Sequence, residues 1–113
     1  MRLRTVLFIF IVLYSGRIAL QAQITTGNTI GTVHDESGAV LPGAAVKVMS
    51  PGLPAQSTVT NERGEYRFTG LQPGTYTLTV ELPGFSIYDE TDLRVLASST
   101  IERAVTLKVA SAA

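Results

Sequence analysis

Apolar and polar residues alternate in short runs along this chain, most clearly across residues 61–80, NERGEYRFTGLQPGTYTLTV. From Thr75 to Val80 the alternation is strict: Tyr76, Leu78 and Val80 face one way, and Thr75, Thr77 and Thr79 the other. A period of two, built from β-branched and aromatic residues, is the pattern of a half-buried strand. The run Glu65 to Thr69 repeats it, with Tyr66 and Phe68 on one face and Glu65 and Arg67 on the other. Asn61-Glu62-Arg63-Gly64 reads as a turn, because Asn accepts a local backbone bond and Gly64 tolerates positive φ. Leu71-Gln72-Pro73-Gly74 reads as a second turn. The stretch therefore predicts two strands joined as a hairpin, with their aromatics in the core.

The same pattern predicts strands over Thr29 to Asp35, Ala44 to Ser50, Gln56 to Thr60, Leu93 to Leu96 and Ile101 to Val109. In the first, Ile30 and Val33 fall on opposite faces, which implies a bulge near Gly31 or partial cover on both faces. Gln56 to Thr60 is polar but uncharged, as expected of an edge or one-sided strand. Asp89-Glu90-Thr91-Asp92 reads as an acidic loop. In the last strand Ile101, Arg103, Val105, Leu107 and Val109 share a face, and Arg103 belongs at its rim. About seven short strands with regular turn signals predict an all-β fold, a seven-stranded antiparallel Greek-key sandwich.

Residues 1–22 are set apart from that fold. Arg2 and Arg4 precede the apolar run Val6 to Tyr14, and a more polar stretch ends in Leu20-Gln21-Ala22. That is a secretory signal peptide pattern, cleaved after Ala22 or retained as a helical anchor. Residues 23–28 form a polar lead-in, 29–109 the sandwich and 110–113 a frayed tail. The chain is expected to be exported, to the periplasm or the outer membrane. Membrane contact is expected only through the leader or a receptor partner.

Composition narrows the chemistry. The 113 residues include no cysteine and one histidine, which excludes disulfides, a thiol nucleophile and a histidine-cluster metal site. Formal charge is zero, but without Arg2, Arg4 and Arg17 the remainder carries about −3. No basic stripe is present to neutralise phosphates, so no nucleic-acid partner is expected.

Several landmarks in order resemble a known family. They are Ile30-Gly31-Thr32-Val33, Asp35 with Gly38, Leu41-Pro42-Gly43-Ala44 and Val46. Thr60-Asn61, Gly64, Tyr66 and Phe68 follow, then Leu71, Pro73-Gly74 and Tyr76, then Pro83-Gly84-Phe85. The set resembles a carboxypeptidase regulatory-like domain, with a transthyretin-like or carbohydrate-binding-like sandwich. Such domains accompany metallocarboxypeptidases and precede the plug and barrel of TonB-dependent outer-membrane receptors. The wording GAVLPGAAV, behind an export leader, is most similar to the receptor-associated bacterial form. The resemblance implies a non-catalytic binding or accessory module for an envelope protein or a carbohydrate. A second reading makes the chain the truncated N-terminal extension of such a receptor.

Candidate chemistry adds little to this. His34 and Asp35 are sequence neighbours on a strand, so they point to opposite faces and do not form a triad. The acids Asp35, Glu36, Asp89, Glu90 and Asp92 lack EF-hand spacing and read as solvated loops. Lys47 has no Asn on the last strand to form an isopeptide with. No cofactor and no catalytic residue is expected. One loop aromatic has polar neighbours suited to a sugar: Tyr88 beside Asp89 and Asp92, with Phe85 nearby, forms the candidate ligand site.

Overall fold

The computed structural model describes residues 25–111, and the expected leader, residues 1–22, lies outside them. The described residues form eight strands: β1 (Gly27–Asp35), β2 (Ala45–Met49), β3 (Gln56–Val59), β4 (Glu65–Leu71), β5 (Gly74–Glu81), β6 (Tyr88–Val95), β7 (Thr100–Glu102) and β8 (Val105–Leu107). They build two facing sheets. One runs β4-β1-β7 with β8 also on β1, and the other runs β3-β2-β5-β6. The all-β sandwich stands as the alternation predicts.

Four details differ from the sequence reading. The final strand is two strands, because the chain breaks between Glu102 and Val105, where Arg103 N donates to Ile30 O at 2.8 Å. Both pieces run parallel to β1, so the first sheet is mixed rather than wholly antiparallel. The expected hairpin of β4 and β5 is instead a crossover: β4 pairs with β1, while β5 lies between β2 and β6. Alternation reports that each strand has an inner face and carries no information on which neighbour it pairs with. Pro73, which has no N–H to give a ladder, sits in the crossing, and Tyr76 Oη donates to Gln72 O at 2.7 Å to tie it down. Finally, the acidic loop is strand. Asp89–Asp92 belongs to β6 and pairs with β5 up to a register shift opposite Tyr76/Leu78. Asp89 and Glu90 pair regularly with Thr79 and Leu78, and only Asp92, with φ 65°, lies in the bulge.

Inward residues from both sheets form one core, including Val33, Val46, Phe68, Leu78, Leu93 and Val105. Burying each such side chain is worth roughly 1.5–3 kcal/mol against leaving it in water. Two threonines are buried with them. Thr60 is fully used: its hydroxyl donates to Leu41 O at 2.7 Å and accepts from Ala44 N at 2.9 Å. Thr29 Oγ1 has no hydrogen-bond partner among the described residues.

The turn before β4 forms as its residues dictate. Asn61 Oδ1 accepts from Arg63 N at 2.9 Å and Glu65 N at 3.0 Å. Gly64 has φ +72°, and a Cβ there would lie 2.7 Å from Val33 O, so glycine is required twice over.

Candidate functional site

The outer face of the first sheet follows from the phase of β1. Thr29 and Val33 are buried at 0% exposure, so Ile30 and Thr32 point the other way, where they are half-buried. Ile30 pairs with Arg67 and Thr32 with Glu65 on β4, which places these side chains on the same outer face. Partial cover on both faces is thus the answer to the phase conflict. The register shift falls between Gly27 and Thr29 and not at Gly31.

This face forms the floor of a cleft of about 540 Å³, with Thr58 and Val59 of β3 among its lining and Glu102 of β7 also reaching it. A second hollow of about 100 Å³ shares Ile30 and Arg67 and adds Asn28, Thr69 and Thr100. Together they make an extended groove of hydroxyls, amides and two carboxylates around a central guanidinium. Among the described residues Arg67 forms no ion pair; the acid–base contacts are Arg63–Glu65 at 3.3 Å and Arg103–Glu90 at 3.1 Å. The groove's one aromatic, Tyr66, is 4% exposed and belongs to the core. No ring face is offered there for stacking on a sugar.

A polar clasp closes the sandwich on the β6 side. Gly31 brings β1 so near the chain that a Cβ would lie 1.8 Å from Arg103 O and 2.6 Å from Tyr66 Oη. That gap lets Tyr66 Oη donate to Arg103 O at 2.7 Å. Arg103 Nε then faces Glu90 Oε1 across the sheets at 3.1 Å, an ionic contact without an aligned hydrogen bond. Tyr88 Oη donates to Glu90 Oε2 at 3.4 Å. Burial pushes the Tyr66 hydroxyl far above its ordinary value, and the Glu90 charge adds to the rise. Tyr88 is raised by the same two causes in the same order. A hydroxyl held neutral in this way serves as a hydrogen-bond donor and not as a base.

The residues expected to bind a ligand do not converge. Tyr88 pairs with Val80 and Asp89 with Thr79, so the two lie on opposite faces of β6. Asp89 Oδ1 accepts from Thr79 Oγ1 at 2.9 Å. Asp92 sits in the bulge, and Phe85 forms a backbone bridge with Val109. The one signal of the groove in the sequence is Ile30 standing out of phase with Val33. His34 Nε2 lies 3.0 Å from Thr106 Oγ1, and Asp35 caps its own turn through Ser37 and Ala39. The Ser37 hydroxyl bond is the main cause holding the Asp35 carboxyl below its usual range. Among the described residues no three His, Asp or Glu side chains come together as metal ligands.

Comparison with known proteins gives the fold its setting. A sequence profile of the carboxypeptidase regulatory-like domain matches residues 30–108. No curated protein matches the chain. Among solved structures, the Bacillus anthracis TIE protein superposes with TM-score 0.63 at 19% identity, over 75% of this chain and 17% of that one. A putative carbohydrate binding protein from Bacteroides uniformis gives TM-score 0.60 at 22% identity, over 72% and 40%. The 3-chlorocatechol 1,2-dioxygenase of Rhodococcus opacus gives 0.58 at 13% identity, over 76% and 61%. The chain spans less than two thirds of each of these proteins, and at such identities the likeness is one of fold.

Proposed function

This chain belongs to the carboxypeptidase regulatory-like domain family, and from that premise we propose that it is an exported, non-catalytic module that binds an extended segment of another cell-envelope protein. The observation that carries this is the groove on the outer face of the first sheet. Its hydroxyls, amides and carboxylates match the alternating donors and acceptors of a peptide, and Arg67 at its centre, without an ion pair among the described residues, takes a carboxylate. A protein partner is favoured over a glycan because the groove presents no exposed ring. The leader-like pattern of residues 1–22 supports a periplasmic or outer-membrane setting.

The test is capture from solubilised envelopes with the tagged chain as bait, beside Arg67→Glu. Arg67 is exposed, so the variant keeps its fold by circular dichroism and loses the captured species. Capture that is unchanged by Arg67→Glu, or no capture at all, overturns the reading. A second proposal, that the chain is the front of a TonB-dependent receptor, rests on the wording GAVLPGAAV behind an export leader. Plug and barrel codons downstream in the same or another frame support it, and their absence removes it.

A further inference from the structure

The free edges of the two sheets are not alike. Strand β6 carries Asp89, Glu90, Asp92 and Arg94 and is broken by a bulge. Strand β4 carries Glu65 and Arg67, while β7 and β8 are three residues each. Charges, bulges and short length are the devices that stop edges from pairing. Strand β3, Gln-Ser-Thr-Val, has no charge, and its pairing with β2 is regular.

The ladder shows which backbone groups β3 leaves open. Thr60 N donates to Ala44 O at 2.9 Å, so that pair is a bonded one. Bonded and non-bonded pairs alternate along an antiparallel ladder. Thr58/Val46 is then bonded, and Ser57/Lys47 and Val59/Ala45 are not. Ser57 and Val59 therefore aim their N–H and C=O groups away from β2. These groups lie symmetrically about Thr58.

We propose that β3 pairs with β3 of a second copy, antiparallel, about a two-fold axis through Thr58. Ser57 of one copy then faces Val59 of the other, and each such pair exchanges both of its backbone bonds. Thr58 faces its own copy. An edge that meets itself sets its charges close to their own duplicates, which is costly for β4 or β6; β3 has no charge to duplicate. Val59, 61% exposed, gains cover in the pairing. The result is one sheet continuous through both copies. Thr58 and Val59 also line the groove, so the pairing is tested by readouts that do not use the groove's partner.

The chain has no cysteine, so single cysteines report the register directly. Facing residues of a non-bonded pair have Cα atoms about 4.5 Å apart, within disulfide reach. Under mild oxidation, Thr58→Cys forms a disulfide dimer at least about tenfold faster than Ser37→Cys, an exposed turn control. Ser57→Cys alone stays at the control rate, whereas Ser57→Cys mixed with Val59→Cys crosslinks. Sedimentation of the cysteine-free chain shows a concentration-dependent dimer that Val59→Lys abolishes without a change in circular dichroism. The proposal falls if Thr58→Cys links no faster than Ser37→Cys. It also falls if Ser57→Cys alone links as fast as Thr58→Cys, or if the chain stays monomeric throughout. None of these readouts uses envelope capture, so they stand apart from the test of Arg67.

Discussion

The two edges of the second sheet are held in different ways. On the β6 side, Glu90 reaches across the sandwich to Arg103, whose carbonyl is gripped by Tyr66 beneath Gly31. On the β3 side, the tie is a buried threonine: Thr60 bonds Leu41 and Ala44 just past the strand, and β3 itself stays open. One edge is closed by charge, bulge and a cross-sheet clasp, and the other has its pairing with β2 and a threonine tie at its end. Binding surfaces need a rigid frame beside an unsatisfied edge or face, and this asymmetry supplies both.

The comparison breaks most sharply at Gly31. Gly31→Ala places a methyl 1.8 Å from Arg103 O, and neither β1 nor the Arg103 link can yield without straining the Arg103 N–Ile30 O and Tyr66 Oη–Arg103 O bonds. The variant is expected to lose about 3 kcal/mol or more in urea unfolding, with the β6 side loosened first in amide exchange. A loss under about 1 kcal/mol would show that the clasp is not a rigid part of the fold.

Thr60→Val tests the other side. It removes two hydrogen bonds and leaves Ala44 N and Leu41 O short of partners. The expected loss is about 2–3 kcal/mol by chemical denaturation, with faster exchange at β3 than at β6. Equal loosening of both edges would mean that the two are not independently tied.

Much of this fold was legible beforehand. The first five strands, the Asn61 turn and the edge position of β3 follow from period, turn chemistry and charge, which are local properties. Pairing is not local. The crossover between β4 and β5 is invisible in their alternation, which is equally good for a hairpin. The acids of β6 read as a loop because charge usually marks solvent, and an edge strand offers solvent too. The ligand residues failed to converge for the same reason: neighbours in a strand point apart, so Tyr88 and Asp89 were close in sequence and opposed in space. The groove needed residues from β1, β3, β4 and β7, and no sequence window spans them.

Within the clasp, Tyr66→Phe removes the bond to Arg103 O and is expected to cost about 1 kcal/mol at neutral pH. Its pH signature is more specific. The folded state raises the Tyr66 pKa, so this contribution is fully present below the unfolded value near 10 and is lost as pH rises above it. The native chain should therefore weaken in alkali, and Tyr66→Phe should weaken less. Tyr76 and Tyr88 are raised as well, so the alkaline loss shrinks without vanishing. An unchanged alkaline limb would remove Tyr66 as its source.

A buried threonine in the first sheet gives a control of opposite sign. Thr29→Val replaces a hydroxyl without a partner among the described residues by a methyl of the same shape, and stability should rise by about 1 kcal/mol. Measured beside Thr60→Val, the pair separates loss of hydrogen bonds from loss of a hydroxyl as such. A destabilised Thr29→Val would mean that a water or another group satisfies the oxygen.

The smallest effect is expected from Glu90→Gln, and it decides what the clasp is made of. Arg103 and Glu90 are partly exposed, at 43% and 26%, so water screens their attraction. An ion pair in that setting is worth about 0.2–1 kcal/mol and fades with salt. Because the Arg103 Nε makes no aligned bond to Glu90, neutralising the acid should forfeit charge attraction and little else. Glu90→Gln should thus cost a few tenths of a kcal/mol at low salt and nothing near 1 M. A salt-independent loss above about 1 kcal/mol would mean that Glu90 holds the sheets by hydrogen bonding, through Tyr88 as well as Arg103. Closure of the β6 edge would then be mainly polar and directional, and the contrast with the single threonine tie at β3 would be one of number and not of kind.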